Sequence, residues 1–264
     1  MGEAVRQLLR NAFPPLVVFL AGNALWEALA HLLEVPLYLL PPPSRIAGAL
    51  LTHAGPLGRG VLLTGQAALA GFALAATVGV AAGVLIASAR WVQRAVYPFT
   101  VLLQTVPLVA IAPLLVVWFG YGVRPVAVAA FIVSVFPVIV NTVAGLRSVD
   151  PPLEDLFRLY GASRWARLFK LRLPWALPSI FAGLKVASGL AVIGAVVGEF
   201  VASYAGEDAG LGMLALTFAR ESHTDRLFAA VGLASLLGLA LFAGVGAAAR
   251  LTLRHWHASE QEER

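Results

Sequence analysis

The sequence contains no cysteine. Disulfides and thiolate-bound metals are therefore excluded, and the redox compartment is not legible from it. Charge is scarce as well: 12% of residues are charged, against about 25% in ordinary soluble domains. Only two lysines are present, Lys170 and Lys185, and neither follows a glycine. A G-x-x-x-x-G-K-S/T phosphate loop is thus missing, and ATP is not bound here in that way. The five histidines, His31, His53, His223, His255 and His257, form no H-E-x-x-H pair. There is no G-x-S-x-G elbow and no carboxylate pair at catalytic spacing, so a membrane enzyme is the least supported class. Proton-driven carriers place several acidic residues within their spans. Here Glu199 is the acidic residue expected deep in an apolar segment, and a small shift of its boundary puts it at the interface instead. Lys185 has a stem long enough to reach the interface from within its span.

What is abundant is apolar. The chain has 264 residues, 59% of them hydrophobic. A membrane is the simplest solvent for that excess. A spanning helix needs roughly 20 apolar residues, and six segments qualify: 13–33, 62–88, 96–119, 125–146, 176–201 and 226–249. The first has features of a secretory leader, with Arg6 and Arg10 before the run and Ala28-Leu29-Ala30 inside it. The run continues through Trp26 to Leu32 and Leu33, which is long for a leader, so a retained helix is expected. Six spans put both termini on one side. That side receives Arg6, Arg10, Arg90, Arg94, Arg147, Arg158, Arg164, Arg167, Lys170, Arg172, Arg250, Arg254 and Arg264. The other receives Arg45, Arg59, Arg124, Arg220 and Arg226. Thirteen against five places both termini and the 147–175 loop in the cytoplasm. The basic balance reflects this topology rather than a nucleic-acid partner.

Local signals fill in the connections. Leu40-Pro41-Pro42-Pro43-Ser44 reads as a stiff extended segment, with Ser44 expected to cap a short helix through Ile46, Leu50 and Leu51. Segment 203–225, with Gly206, Gly210 and Gly212, is expected to turn back toward the membrane, and Thr224 to cap the last span. Gly71, Ala75, Gly79 and Gly83 recur every fourth residue, and Ala187, Ala191 and Ala195 do the same beside Gly194 and Gly198. Such rows let backbones approach; packing within the chain is expected ahead of a subunit contact. Pro107, Pro113 and Pro137 are expected to bend spans three and four. Gln104, Thr105, Ser134, Asn141 and Thr142 lie near them, either along a polar path or in hydrogen bonds between helices.

The 147–175 loop is the informative part. Asp150 and Pro151 start a helix, with Glu154 and Asp155 at its positive end. Leu153, Leu156, Phe157 and Tyr160 form a stripe spaced i, i+3, i+4, i+7. Gly161 ends the helix. Ser163 caps a second one carrying Trp165, Leu168 and Phe169 among Arg164, Arg167 and Lys170, and Pro174 is expected to close the unit. By spacing alone, two readings stand: an amphipathic hairpin resting on anionic headgroups, or a short helix that docks in a partner's groove.

Gly161, nine residues, then Leu171-x-Leu173-Pro174 resembles the EAA motif of permease subunits in binding-protein-dependent ABC importers. Further stretches resemble the nitrate, sulfonate and taurine branch of that family. They include Pro107-Leu-x-Ala-x-x-Pro113-Leu, Trp118-Phe-Gly120, Phe136-Pro-x-x-x-Asn141-Thr, Gly145-x-Arg147-Ser-Val-Asp150-Pro, Gly161-Ala-Ser-Arg-Trp165, Leu173-Pro-x-x-Leu-Pro178 and Gly210-Leu-Gly212. Phe169-Lys-Leu-Arg-Leu-Pro174 and Gly198-Glu-Phe200 are similar to members associated with a thiamine pyrimidine precursor. One departure is plain: Glu-Ala-Ala becomes Asp155-Leu156-Phe157, which keeps the carboxylate but enlarges two small residues.

The resemblance implies an all-α, type I importer permease fold of six transmembrane helices. It implies a single domain over 1–264, with a family core of about 60–250 and a coupling loop at 147–175. It implies a bacterial inner-membrane homodimer joined to two ATPase subunits that use ATP and Mg, and to an extracytoplasmic substrate-binding protein. The chain itself would bind no cofactor or metal. Asp155, Leu156, Phe157, Tyr160, Gly161 and Arg164 would contact the ATPase. Gln104, Thr105, Asn141 and Glu199 are the candidates for the pathway. A small organic or anionic nutrient would be the substrate, namely a thiamine-pyrimidine-precursor-like compound, a sulfonate or taurine, or nitrate. The competing class is a secondary carrier or channel that works alone.

Overall fold

A computed structural model describes residues 2–88, 91–92, 94–95, 102, 105–203 and 208–253. Ten α-helices lie among them: α1 (Gly2–Leu32), α2 (Pro43–Thr52), α3 (Ala54–Ser88), α4 (Leu108–Phe119), α5 (Val123–Arg147), α6 (Pro151–Leu159), α7 (Arg164–Arg167), α8 (Leu173–Ala202), α9 (Leu211–Arg220) and α10 (Thr224–Leu253). A π-helical turn, Leu168–Arg172, joins α7 to α8. Among the described residues, five helical segments are long enough and contain an apolar stretch long enough to cross a bilayer: Phe13–Leu32, Ala54–Ser88, Val123–Arg147, Arg164–Ala202 and Thr224–Leu253. The remaining expected span, 96–119, falls partly outside the described residues. Its described portion includes the 12-residue α4, before which Val106 and Pro107 are not helical.

Burial sorts the helices into centre and rim. Half of the apolar window of α5 is buried inside the chain, against 6% for α1 and 11% for α10. α5 packs along α3 on one side and α8 on the other. The small-residue rows make this possible. Gly71, Gly79 and Gly83 of α3 lie directly on Ala130, Val138 and Thr142 of α5, and Gly194 and Gly198 of α8 lie on Ala129 and Ala130. A side chain at these glycines would push the backbones apart, so both rows serve packing within the chain. In lipid, close contact of this kind is a main source of helix association. α1 exposes Phe13, Val18, Phe19 and Leu32, which suits a helix with hydrocarbon around it.

Several local expectations are corrected. Ser44 does not cap α2: Pro42 holds the cap position. Ser44 instead sends its N–H (3.0 Å) and its hydroxyl (2.7 Å) to the carboxylate of Glu27 in α1. Glu27 is thus a second acidic residue inside a span, tethering α1 to the start of α2. Thr224 is the first residue of α10 rather than its cap, and its hydroxyl donates to the Tyr38 carbonyl at 2.7 Å. Pro107 sits at the start of α4 and does not kink it. Pro174 does not close the unit that begins at Asp150. It lies at the second position of α8, where no N–H is needed from it once the preceding π turn has shifted the hydrogen-bond pattern. The helical segment therefore runs on without a break from Arg164 to Ala202, starting before the expected 176–201.

Candidate functional site: a clasped helix and turn

α6 begins as the sequence indicates. Asp150 is at the cap position in extended conformation and Pro151 is the first helical residue, although the Asp150 side chain makes no capping bond. The end of α6 is closed by backbone geometry. The Ala162 N–H reaches the Phe157 carbonyl and the Gly161 N–H reaches the Arg158 carbonyl, both at 2.9 Å. This paired closure requires a left-handed residue, and Gly161 has φ +70°. Ser163 then caps α7 by accepting from the Ala166 N–H at 3.1 Å.

The expected stripe on α6 is divided. Leu153 and Phe157 are half-buried, turned toward the chain's own body. Leu156 (46% exposed), Leu159 and Tyr160 (85% and 83%) stand free. The apolar face offered outward is therefore Leu156, Leu159 and Tyr160. Asp155 is exposed and sits 3.5 Å from Arg158. Arg164 is exposed at the start of α7. Nearby, Trp165 and Phe169 stack with ring centroids 6.0 Å apart.

The residue that fixes α6 in place is Glu154, which its spacing marked only as a favourable charge near the helix start. It is 8% exposed. Arg167 donates to its Oε1 at 2.9 Å, and Arg172 donates to Oε1 at 2.7 Å and to Oε2 at 3.0 Å. Arg158 adds a longer contact of 3.8 Å. Hydrogen bonding from Arg172 holds the Glu154 carboxyl below its usual range against the opposing effect of burial; the charges of Arg172, Arg167 and Arg158 pull in the same direction as Arg172's bond. A carboxylate on α6 is thereby gripped by arginines of α7 and the π turn. Trp175 of α8 donates to the Ser148 carbonyl at 3.1 Å, which ties the start of α8 to the end of α5. A cleft of about 510 Å³ opens beside this clasp, lined by Ser88, Arg147, Asp155, Arg158 and Arg172 among others.

The described pathway candidates each bond locally or at a helix junction. Gln104 lies outside the described residues. The Thr105 hydroxyl is exposed and donates to the Leu102 carbonyl at 2.8 Å. Asn141 donates to the Pro137 carbonyl of its own helix at 2.8 Å, and its side chain lies on Gly183 of α8. Ser134 likewise bonds to the Ala130 carbonyl within α5. Glu199 is buried at the opposite end of α8 from the clasp, and bonds to α3 and α9.

Residues 75–252 match the family described as binding-protein-dependent transport system inner membrane component, and the chain belongs to that family. It is a permease subunit of an ABC importer, a transport component rather than an enzyme, and a multi-pass inner-membrane protein. It is 35% identical over 260 residues to a riboflavin transport system permease of Chloroflexus aurantiacus, covering 97% of this chain and 95% of that one. It is 35% identical over 236 residues to a formylaminopyrimidine transport permease of Halalkalibacterium halodurans, covering 89% and 92%. It is 30% identical over 244 residues to the taurine transport permease of Escherichia coli, covering 89% and 86%. Among solved structures, a chain of the inward-facing MetNI methionine ABC transporter matches with a TM-score of 0.66 at 18% identity, over 76% of this chain and 98% of that one. That likeness concerns the fold.

Proposed function

We propose that this chain works as a homodimer whose α6 docks on a separate ATPase, and that both termini and α6 face the cytoplasm. The observation that carries the reading is the tip of α6. Leu156, Leu159 and Tyr160 are exposed on a short helix held rigidly from behind by Glu154 and closed by Gly161. A helix meant to lie on headgroups has no need of a buried ionic grip that fixes its direction. Apolar anchors on a preorganised helix are what a groove recognises. Asp155, Arg164 and half-buried Phe157 flank the tip and complete the proposed contact, with Gly161 setting its shape. ATP and Mg are used by the two partner ATPases, and an extracytoplasmic binding protein delivers substrate to the far face. The thirteen-to-five basic asymmetry supports the orientation.

The substrate we propose is a small organic nutrient, first a ring compound of the thiamine-pyrimidine-precursor kind. Two relatives that match at 35% identity over 97% and 89% of this chain are named for riboflavin and formylaminopyrimidine, and the taurine relative is more distant at 30%. Affinity purification of the chain tests the assembly: two ATPase chains per two permease chains are expected. Uptake driven by an ion gradient with no ATPase retained would refute it and favour the stand-alone carrier. Mass spectrometry of ligand carried by the cognate binding protein tests the substrate.

A further inference from the structure

α9 is a short helix at the end of the bundle opposite α6. The first backbone N–H groups of any helix lack partners within it. In α9 two of these are taken by side chains from other helices. The Leu211 N–H donates to Thr64 Oγ1 of α3 at 2.8 Å. The Gly212 N–H donates to Glu199 Oε2 of α8 at 2.6 Å. The circle closes where the Thr64 hydroxyl donates to Glu199 Oε1 at 2.7 Å. Thr64 is fully buried and Glu199 is 2% exposed. Gly210 and Gly212 lie against the carboxylate so closely that a side chain at either would collide with it or with the Val196 carbonyl. Three helices thus meet at one carboxylate. Hydrogen bonds made out of contact with water are strengthened by the low local dielectric.

α8 is the element common to both ends of the molecule. With α7 and the π turn it forms one continuous helical segment, Arg164–Ala202. Arg167 and Arg172 grip Glu154 of α6 at one end, and Glu199 grips α9 at the other. Beside the second grip lies a cavity of about 220 Å³ lined by Leu63, Val126, Glu199, Ser203 and Asp208 among others. A displacement of α6 therefore has a continuous mechanical route to the N-terminus of α9 and to the wall of this cavity.

We propose that Glu199 and Thr64 are positioning residues that make α9 move with α8, so that the ATPase and the extracytoplasmic face are linked through this latch. The proposal rests on the importer reading above. The test uses the complex of permease, ATPases and binding protein, reconstituted in proteoliposomes, with the binding protein carrying the ligand with which it is purified. Thr64→Val removes the hydroxyl at nearly constant shape; Thr64→Ser keeps it. In Thr64→Val the maximal stimulation of ATPase by binding protein falls at least fivefold. Its basal rate, and the binding-protein concentration giving half-stimulation, stay within twofold of wild type. Thr64→Ser retains the stimulation. Should Thr64→Val fail to assemble, Thr64→Ala, which adds no bulk, carries the same expectation. Full stimulation in the hydroxyl-free variants overturns the latch while leaving the importer reading intact. A shift confined to the half-stimulating concentration also overturns it, because α9 would then be a docking surface. Absence of stimulation in the wild-type complex refutes the importer reading and the latch with it.

Discussion

Replacing Glu154 by Gln examines the clasp directly. The wild-type carboxylate accepts three charge-assisted hydrogen bonds from Arg167 and Arg172. A carboxamide keeps one acceptor oxygen and turns an N–H₂ group toward guanidinium donors, so at least one bond is lost and the charge balance goes with it. Hydrogen bonds to charged groups contribute about 1.5–3 kcal/mol each, and breaking a fully buried pair costs about 3–5 kcal/mol. Arg167 and Arg172 retain 18% and 31% side-chain exposure, so water recovers part of the loss. A net cost of about 2–3 kcal/mol to the held orientation of α6 follows, or roughly 30- to 150-fold in its population relative to released states. The bundle itself, held by α3, α5 and α8, does not depend on this cluster, so membrane insertion is unchanged. In proteoliposomes, substrate-stimulated ATPase activity of Glu154→Gln falls about tenfold or more, and Glu154→Arg combined with Arg172→Glu restores part of it. Stimulation within twofold of wild type in the single variant would show that α6 needs no internal grip, and the reasoning would fail.

Further outcomes follow from the same geometry. Gly161→Pro removes an N–H that closes α6 and imposes a negative φ where +70° is required; the protein still inserts in membranes but loses substrate-stimulated ATPase activity, and normal stimulation would sink the coupling assignment. Leu159→Asp places a charge on the most exposed apolar residue of α6 and reduces co-purified ATPase about tenfold or more; quantitative gel or mass analysis of the purified complex checks it. The pH dependence of the clasp is one-sided. Because the carboxyl of Glu154 is held below the ordinary value of 4.5, its contribution is complete above that value and is lost as pH falls through the lower folded-state value. Amide exchange of residues 151–160, corrected for intrinsic rates, is expected to be steady from about pH 8 to about pH 5 and to accelerate only in stronger acid; loosening near neutrality would contradict the ion cluster.

Much of the molecule is written in short-range pattern. Apolar runs locate the spans because spanning length is a local property. The helix of 151–159 and its glycine stop are legible because a turn needs only a few adjacent residues. The small-residue rows announce close packing, and the structure supplies α5 as the helix both rows meet. Where local rules compete, the sequence misleads. Ser44 has the chemistry of a cap, but the stiff proline segment before it puts Pro42 in the cap position and leaves Ser44 to Glu27. Pro174 has the chemistry of a stop, but a π turn accommodates it. Likewise the stripe of α6 was visible as a period, while its division into inward Leu153 and Phe157 and outward Leu156, Leu159 and Tyr160 was not.

The sequence alone therefore determined a membrane bundle, its basic asymmetry, the lack of a phosphate loop and the place of the short helix at 151–159. Only the tertiary structure decided what the acidic residues do. Periodicity reports which residues share a helical face, but says nothing of what lies opposite. Glu154 finds Arg172 eighteen residues away and Glu199 finds Thr64 at a separation of 135. Burial then turns these contacts into fixed links, because a carboxylate removed from water must be held by donors.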